Sequence, residues 1–493
     1  MPTRRTVLSA AAVTAGTVAF TGVALKPMLD RPDGKAPADV PVADAVSANA
    51  IAIEKFKLAM PVPPTLTPYS TFDGVDRYVM TMRKAKKEII PGIQTDVLTY
   101  NGQFPGPVIR AKQNRAVQVL QFNGLDDPTS VHLHGGSVTP ENDGGPMDTI
   151  APSDFRFYDY PNKQSHASLW FHDHAHHVES EHVYRGLTGT YLLTDEVEQA
   201  LPLPSGQYDI PIQIRDAAFD DAGQLVYKMN DFRGRQTVLA NGKAYPYFQV
   251  AARKYRFRIV DSSNLRSFTL QLADHSEIIQ IGSDGGLLTK PFPTNSIPLS
   301  PGERADIVID FSRYPVGSSV VLENTNLGGG TADTLGQVLR FDIVRTASDS
   351  SSVPATLRTL PALPTPTAQR TIEMRMDESG APDAPAYIDN KVYDPNRIDQ
   401  SVKYGASEVW TIKNVNTFLP HNFHMHLVQF RILSRNGQAP GPAEAGLKDT
   451  VWLMPGDEVK VQATFDTYKG TYLYHCHLLD HSAMGMMATY KIS

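Results

Sequence analysis

The residues of this chain best suited to redox or metal chemistry are fifteen histidines and one cysteine, and they are unevenly placed. Eight histidines lie between His132 and His182 and six between His421 and His481, with His275 alone in the long stretch between. Four short motifs concentrate them: His132-Leu133-His134, His172-Asp173-His174, His421-Asn422-Phe423-His424-Met425-His426, and His475-Cys476-His477 with His481 just beyond. On a strand, residues i and i+2 face the same way, so each His-x-His aims two imidazoles at one point. A single pair is a weak signal, since solvated or zinc-binding pairs are common. Four pairs, two from each end of the chain, can bring eight imidazoles to one place, enough for about three metal ions rather than one. Cys476 adds a second place. On its strand it points away from His475 and His477, so one residue sits covalently between a thiolate site and an imidazole site. A soft thiolate with imidazoles suits copper, and two His, one Cys and a weak Met form a blue electron-transfer copper site. His421 and His481 are left over for that set. The competing reading of Cys476, a buried structural thiol, does not explain a histidine on either side.

The elements that must position these groups have a period of two. Ala116-Val117-Gln118-Val119-Leu120-Gln121-Phe122, Lys254-Tyr255-Arg256-Phe257-Arg258-Ile259, Asp306-Ile307-Val308-Ile309-Asp310-Phe311 and Glu458-Val459-Lys460-Val461-Gln462-Ala463 all roughly alternate. Such runs, bounded by Gly, Pro and Asn, predict half-buried strands. Helical patterns are few and short, Ser180 to Leu187 being one. The fold class is therefore all-β, built from packed sandwiches. A weak internal repeat supports three domains of similar plan: Asn101-Gly102-Gln103-Phe104-Pro105, Asn241-Gly242-Lys243-Ala244-Tyr245-Pro246 and a blurred Asn390-Lys391-Val392-Tyr393-Asp394-Pro395 each precede an alternating strand. The joins fall near Thr194 to Ser205 and within Thr346 to Gln369, giving domains at 51–197, 198–350 and 351–493. The histidine distribution puts the chemistry in the first and third and makes the second a scaffold.

Bulk composition, with 41% hydrophobic and 20% charged residues, is that of a globular protein. A net charge of -6 gives no reason to expect nucleic acid or an anionic membrane as partner. One cysteine excludes an intrachain disulfide. At the start, Arg4-Arg5 precede a mild apolar run from Val7 to Leu25 with too many small polar residues for a spanning helix. This predicts a twin-arginine export signal and, through residue 50, a flexible leader. The protein is thus expected to use the twin-arginine machinery, to be periplasmic or extracellular, and to keep no stable membrane association once the signal is removed.

The four motifs, with Gly186-Leu187-Thr188-Gly189-Thr190-Tyr191 and Gly446-Leu447-Lys448-Asp449-Thr450-Val451, resemble the multicopper oxidases, and the likeness runs in order from about Asn101 to Ser493. It is nearest to the three-domain bacterial laccase-like branch. The resemblance implies three cupredoxin-like Greek-key sandwiches and four copper ions. By it, His421, Cys476 and His481 are type 1 ligands with Met486 axial. His132 and His424 match the type 2 pair. His134, His172, His174, His426, His475 and His477 match the type 3 set. Electrons from a small aromatic reductant would enter at His481, the exposed ligand in the family, and pass along Cys476, and O2 would be reduced to two waters. Asp143, in Glu141-Asn142-Asp143-Gly144-Gly145, matches a proton-relaying acid; the plainer reading is a turn-forming Asp before Gly-Gly. Many members carry an acid directly after the last type 1 histidine, and here that residue is Ser482.

The remaining candidates are read conservatively. Met484 and Met487 are core residues. His176, His177 and His182, with Glu179 and Glu181, form a solvated helical turn rather than a metal site. His166 and His275 are structural or surface, and Asp449 either orients a group near the third-domain core or, on the safer reading, is a buried cap. The leading function is a laccase-like oxidase of phenols, aminophenols or similar aromatics. The alternatives are a bilirubin oxidase or a copper-detoxifying cuprous oxidase, the latter disfavoured by only 14 Met with no cluster ahead of Cys476. A ligand-free cupredoxin scaffold and a two-domain nitrite reductase fit the complete ligand set poorly.

Overall fold

The computed structural model describes residues 51–379 and 384–493. The expected export signal and leader, residues 1–50, lie outside the described residues. Among the described residues, no helix is long and apolar enough to cross a membrane.

The architecture is all-β, with six sheets that pair into three sandwiches along the chain. In the first, one sheet runs in the order Gln94–Tyr100, Val75–Glu88, Ala116–Asn123, Phe155–Tyr160, and the other Val108–Lys112, Thr188–Thr194, Ala167–Asp173, Val131–His134. The middle sandwich has sheets of seven and five strands, with strands between Asp209 and Thr346. The last has five and five. Its ligand-bearing sheet runs Gln400–Val402, Met487–Ile492, Gly470–Cys476, His421–Met425, Thr450–Leu453. Each sandwich has its own large apolar cluster, and Cys476 and Met486 belong to that of the third.

Strict alternation holds where one face meets solvent: Ala116–Asn123 is buried at every second residue. It fails in the middle sandwich. Lys254–Asp261 and Arg304–Asp310 are buried on both faces although their sequences alternate. The physical reason is ion pairing across a covered face. Arg256 pairs with Glu198 and Asp306, and Arg258 with Asp209 at 2.7 Å. Charged residues at alternate positions read as solvent-facing, and here they face partners instead.

The internal repeat is a hairpin tied to its neighbour strand. Asn101-Gly102 and Asn241-Gly242 both take positive φ, the signature of a tight type I′ turn. The first residue of each turn locks onto an adjacent strand: Asn101 Oδ1 accepts from Thr81 N at 2.7 Å and Asn241 Oδ1 from Gln213 N at 2.8 Å. The third copy sits one residue earlier than its sequence match, at Asp389-Asn390, where Asp389 Oδ1 accepts from Glu373 N at 2.8 Å. An aspartate does the work of an asparagine there, which is why the copy reads as blurred.

Candidate metal centres

The first sandwich supplies four histidines. Strand Val131–His134 pairs antiparallel with Ala167–Asp173, placing His132 opposite His172, and His174 follows directly after. In the third, His421–Met425 pairs with Gly470–Cys476, placing His424 opposite His475 and Phe423 opposite Cys476. His426 and His477 continue these strands. The eight rings are fully buried and meet between the two sandwiches.

Their nitrogens divide into inward and outward sets. Each outward nitrogen that has a partner faces an oxygen. His132 Nδ1 donates to the Asp143 carbonyl at 2.6 Å, and His424 Nδ1 to that of Asp449 at 2.8 Å. His172 and His475 donate from Nδ1 to the Asp173 and Cys476 carbonyls. His426 Nδ1 donates to Asp143 Oδ2 at 2.7 Å, and His134 Nε2 to Asp449 Oδ1 at 2.9 Å. These bonds fix the tautomers and leave lone pairs pointing inward. The inward nitrogens form two trios and a pair. His134 Nδ1 lies 3.1 Å from His477 Nε2, which is 3.4 Å from His172 Nε2. His475 Nε2 lies 3.3 Å from His174 Nε2 and 3.1 Å from His426 Nε2. The Nε2 atoms of His132 and His424 have no partner at all.

Buried lone pairs aimed at one another repel and call for cations between them. Electrostatics agree. Burial first, and the neighbouring rings second, hold His134, His172, His174, His424, His475 and His477 well below the ordinary imidazole range. Neutral imidazoles are the ligating form.

A second cluster lies on the far side of the Gly470–Cys476 strand. Cys476 Sγ is 3.7 Å from His481 Nδ1 and 4.0 Å from His421 Nδ1, and the two Nδ1 atoms are 3.1 Å apart. His421 Nε2 donates to Asn416 Oδ1 at 2.8 Å, so its Nδ1 is free of a proton. Met486 is wholly buried and fixed at both ends, its N–H donating to the His481 carbonyl and its carbonyl accepting from Cys476 N–H. Met487 lies on the strand opposite His475. Burial pushes the Cys476 thiol up to about 12, so a thiolate forms there only in company with a cation. Thiol, two imidazole nitrogens and an adjacent thioether residue are a donor set that fits copper.

His481 retains 3% exposure against 0% for His421 and Cys476. Of this set His481 is therefore the residue nearest the surface, with little of it open. The residue before it, Asp480, is clasped by Arg235 at 2.8 Å and by the Asn230 N–H at 2.8 Å, which draws the 227–235 segment in beside His481.

Asp143 ends the short helix Pro140–Asp143, and the left-handed Gly144 after it turns the chain away. Its carboxylate is aimed at His426 through Oδ2, and Oδ1 lies 3.5 Å from His132 Nδ1. Burial opposes its ionisation, but the His426 and His132 rings outweigh that and hold it well below the usual carboxylate range. It is therefore more than a turn former. A surface cleft lined by Pro140, Met147, Tyr393 and Tyr472 reaches it.

Asp449 is likewise more than a cap. Arg304 of the middle sandwich grips both its oxygens, and Asp449 in turn accepts from His134. Gly302, two residues before Arg304, lies against the rings. A Cβ there would sit 2.9 Å from His477 Cγ and 3.1 Å from His134 Cε1, and its φ is +87°. The middle sandwich is thus a wall of the site and not merely scaffold. The sequence offered no periodic signal for this; only the stretch Ser300-Pro301-Gly302-Glu303-Arg304 marks a tight turn.

The 176–182 run also departs from expectation. A helix does form, Glu179–Arg185, but Glu179, Ser180 and His182 are buried rather than solvated. His182 Nδ1 bonds Asp173 Oδ2 at 2.7 Å, bracing the loop between His172 and His174. Of the two histidines read as structural or surface, His166 is buried and bonds the Leu193 carbonyl at 2.8 Å.

Comparison with known proteins agrees with this geometry. Family models described as multicopper oxidase match residues 81–198, 217–332 and 361–493. A laccase of Bacillus subtilis (strain 168) is 35% identical over 515 residues, covering 90% of this chain and 99% of that protein. A bilirubin oxidase of Albifimbria verrucaria is 35% identical, covering 88% of this chain and 81% of that one. The crystal structure of a laccase from Pediococcus acidilactici superposes with a TM-score of 0.82 at 31% identity, covering 90% of this chain and 95% of that one. The chain belongs to the multicopper oxidases and is a laccase-like, copper-dependent oxidoreductase that uses O2 as electron acceptor.

Proposed function

We propose that the protein holds four copper ions and oxidises phenols, aminophenols or related small aromatics. His421, Cys476 and His481, with Met486 axial, would hold the type 1 ion. His132 and His424 would hold the type 2 ion, and His134, His172, His174, His426, His475 and His477 the type 3 pair. Copper in these sites would supply the one-electron redox steps that link the aromatic reductant to O2. The observation that carries the reading is one strand: Cys476 faces the thiol cluster while His475 and His477 face the imidazole cluster. The covalent path from Sγ to either ring is short and fully buried, so it conducts without exposing the electron to water.

The other residues position, exclude and donate. Asp449 and Arg304 hold His134 in its tautomer. Asp143, reached by the Tyr393-lined cleft, would pass protons inward beside His426 and His132. The Asn230 and Arg235 contacts to Asp480 narrow the approach to His481, which suits a flat ring presented edge-on. Relatives named as laccases support a phenol-type reductant. The second reading, a tetrapyrrole, is favoured by the 35% identity to the bilirubin oxidase. We also infer, from Arg4-Arg5 and the apolar run after them, export by the twin-arginine route.

The test is oxygen uptake by copper-loaded protein with syringyl phenols, o-aminophenol, bilirubin and Cu(I), alongside the visible spectrum. The reading requires an intense red band and a preference for the organic reductants. A colourless copper-loaded protein would refute the ligand assignment. Uptake with Cu(I) alone would refute the substrate class.

A further inference from the structure

We propose that Glu179 is a second proton-relay acid for oxygen reduction, reaching the ligand cluster from the segments that carry His174 and His481. The proposal rests on the ligand assignment above. Reducing O2 to two waters takes four electrons and four protons, and the eight rings that would surround the reaction are wholly buried. Protons must therefore arrive through side chains, and Asp143 serves only the side of His132 and His426.

Glu179 is a carboxyl without a structural occupation. It is 0% exposed, and neither oxygen has a hydrogen-bond partner. The two buried acids that act on it are taken: Asp173 by His182 and Asp480 by Arg235. A buried carboxyl with no cation beside it is costly as a carboxylate and keeps its proton. Burial pushes Glu179 well above the ordinary carboxyl range; its own backbone and the Ser482 hydroxyl pull the other way, and the charges of Asp173 and Asp480 add to the rise. A residue kept only for packing there would be better as an amide or a hydrocarbon.

Its location is the second argument. Glu179 opens the helix Glu179–Arg185, five residues past His174, with its N–H bonded to the Ala175 carbonyl at 2.9 Å. That helix packs on Leu479–Ala483, which carries His481, and Ser180 Oγ donates to Asp480 across the contact. The groups that act on Glu179 are Asp173 from its own segment, Asp480 and Ser482 from the opposite helix, and Tyr393. Ser482 Oγ is buried with no partner inside hydrogen-bond distance, yet it faces the Glu179 carboxyl closely enough to act on it. Tyr393 stands edge-on to His176 at 5.1 Å and lines the cleft that also reaches Asp143. The step is a simple proton transfer. The Glu179 O–H bond breaks, the proton goes to the reduced oxygen on its way to water, and the carboxylate left behind is reprotonated from solvent through the Tyr393 cleft.

The experiment uses the copper-loaded full chain and its Glu179→Gln and Glu179→Asp variants. Copper content, the red band and anaerobic reduction by 2,6-dimethoxyphenol report on the ligand assignment and should match wild type in both. Reoxidation of the reduced protein by O2 reports on Glu179. It should slow about 10²-fold in Glu179→Gln, most at high pH and with a larger solvent isotope effect, and recover in Glu179→Asp. Reoxidation within about twofold of wild type from pH 5 to 8 overturns the proposal. If Glu179→Gln loses copper, the double variant Glu179→Gln/Ser482→Glu returns a carboxyl from the facing helix. Restored turnover supports the relay. A double variant that is copper-loaded but slow, or that also loses copper, overturns it by leaving Glu179 a structural role.

Discussion

Asp449 Oδ1 accepts a hydrogen bond from His134 Nε2 at 2.9 Å, across 315 residues of chain, while Arg304 of the intervening sandwich holds both of its oxygens. One carboxylate therefore ties all three sandwiches to a single ligand ring. Asp449→Asn removes the charge from a buried ion pair and should cost about 3 kcal/mol of stability. The His134 tautomer loses its anchor as well. The expected result is a protein that keeps the red band but binds less copper in the imidazole cluster. Full copper loading with an unchanged unfolding midpoint would contradict this role.

Cys476→Ser replaces the one soft ligand by a hydroxyl. The red absorption and oxidase turnover should both vanish, and copper per chain should fall by one, because the imidazole cluster keeps its eight rings. Metal analysis together with the visible spectrum checks this, and a variant that stays blue would exclude Cys476 as ligand.

Asp143→Asn preserves shape and a hydrogen-bonding group beside His426 but cannot carry a proton. Turnover should fall about 10²-fold with the red band intact. Near-normal steady-state oxygen uptake would remove Asp143 from the proton path.

Gly302→Ala is a test of the wall supplied by the middle sandwich. The added methyl meets the His477 and His134 rings, and the backbone there is left-handed. Copper occupancy of the imidazole cluster should drop while the thiol cluster stays coloured. Wild-type occupancy would show that the turn can retreat.

The copper-free protein should be acid-sensitive in a defined window. Burial holds His426 and His481 down to about 4, whereas an unfolded imidazole protonates near pH 6.5. Between these values the unfolded chain binds more protons, so stability falls as pH is lowered from about 6.5 to 4, by at most about 1.4 kcal/mol per pH unit for each such histidine. Asp143 acts in the same direction in a lower window: its depressed carboxyl contributes stability above about pH 4 and loses it as the pH falls below that. Denaturant midpoints that stay flat from pH 7 to 5 would show that these rings are hydrated in the metal-free chain.

The ligands were legible because each His-x-His rides on a strand, where period two forces both rings to one face. Cys476 was legible for the same reason turned over. The groups that orient them were not. Asp449 looks like a cap until Arg304, 145 positions away, is brought beside it. Glu179 and His182 sit in a run rich in histidine and glutamate that reads as wet, and only the Leu479–Ala483 helix and Asp173 bury them. The alternating strands of the middle sandwich misled similarly, because Arg256 and Arg258 find acids where the pattern implies water. Local period reports which way a side chain points, and only tertiary packing decides what waits there.

His134 and His477 lie 3.1 Å apart and 343 residues apart in sequence. On a ribosome, the first four imidazoles and their strands emerge long before their counterparts, and no chain lacking 470–493 can close either cluster. Copper capture in the final arrangement is thus confined to the finished polypeptide, after the slowest, most non-local pairing is made. Once captured, the ions clip the two ends of the molecule together, so the same residues that turn over oxygen also act as the last latch of folding.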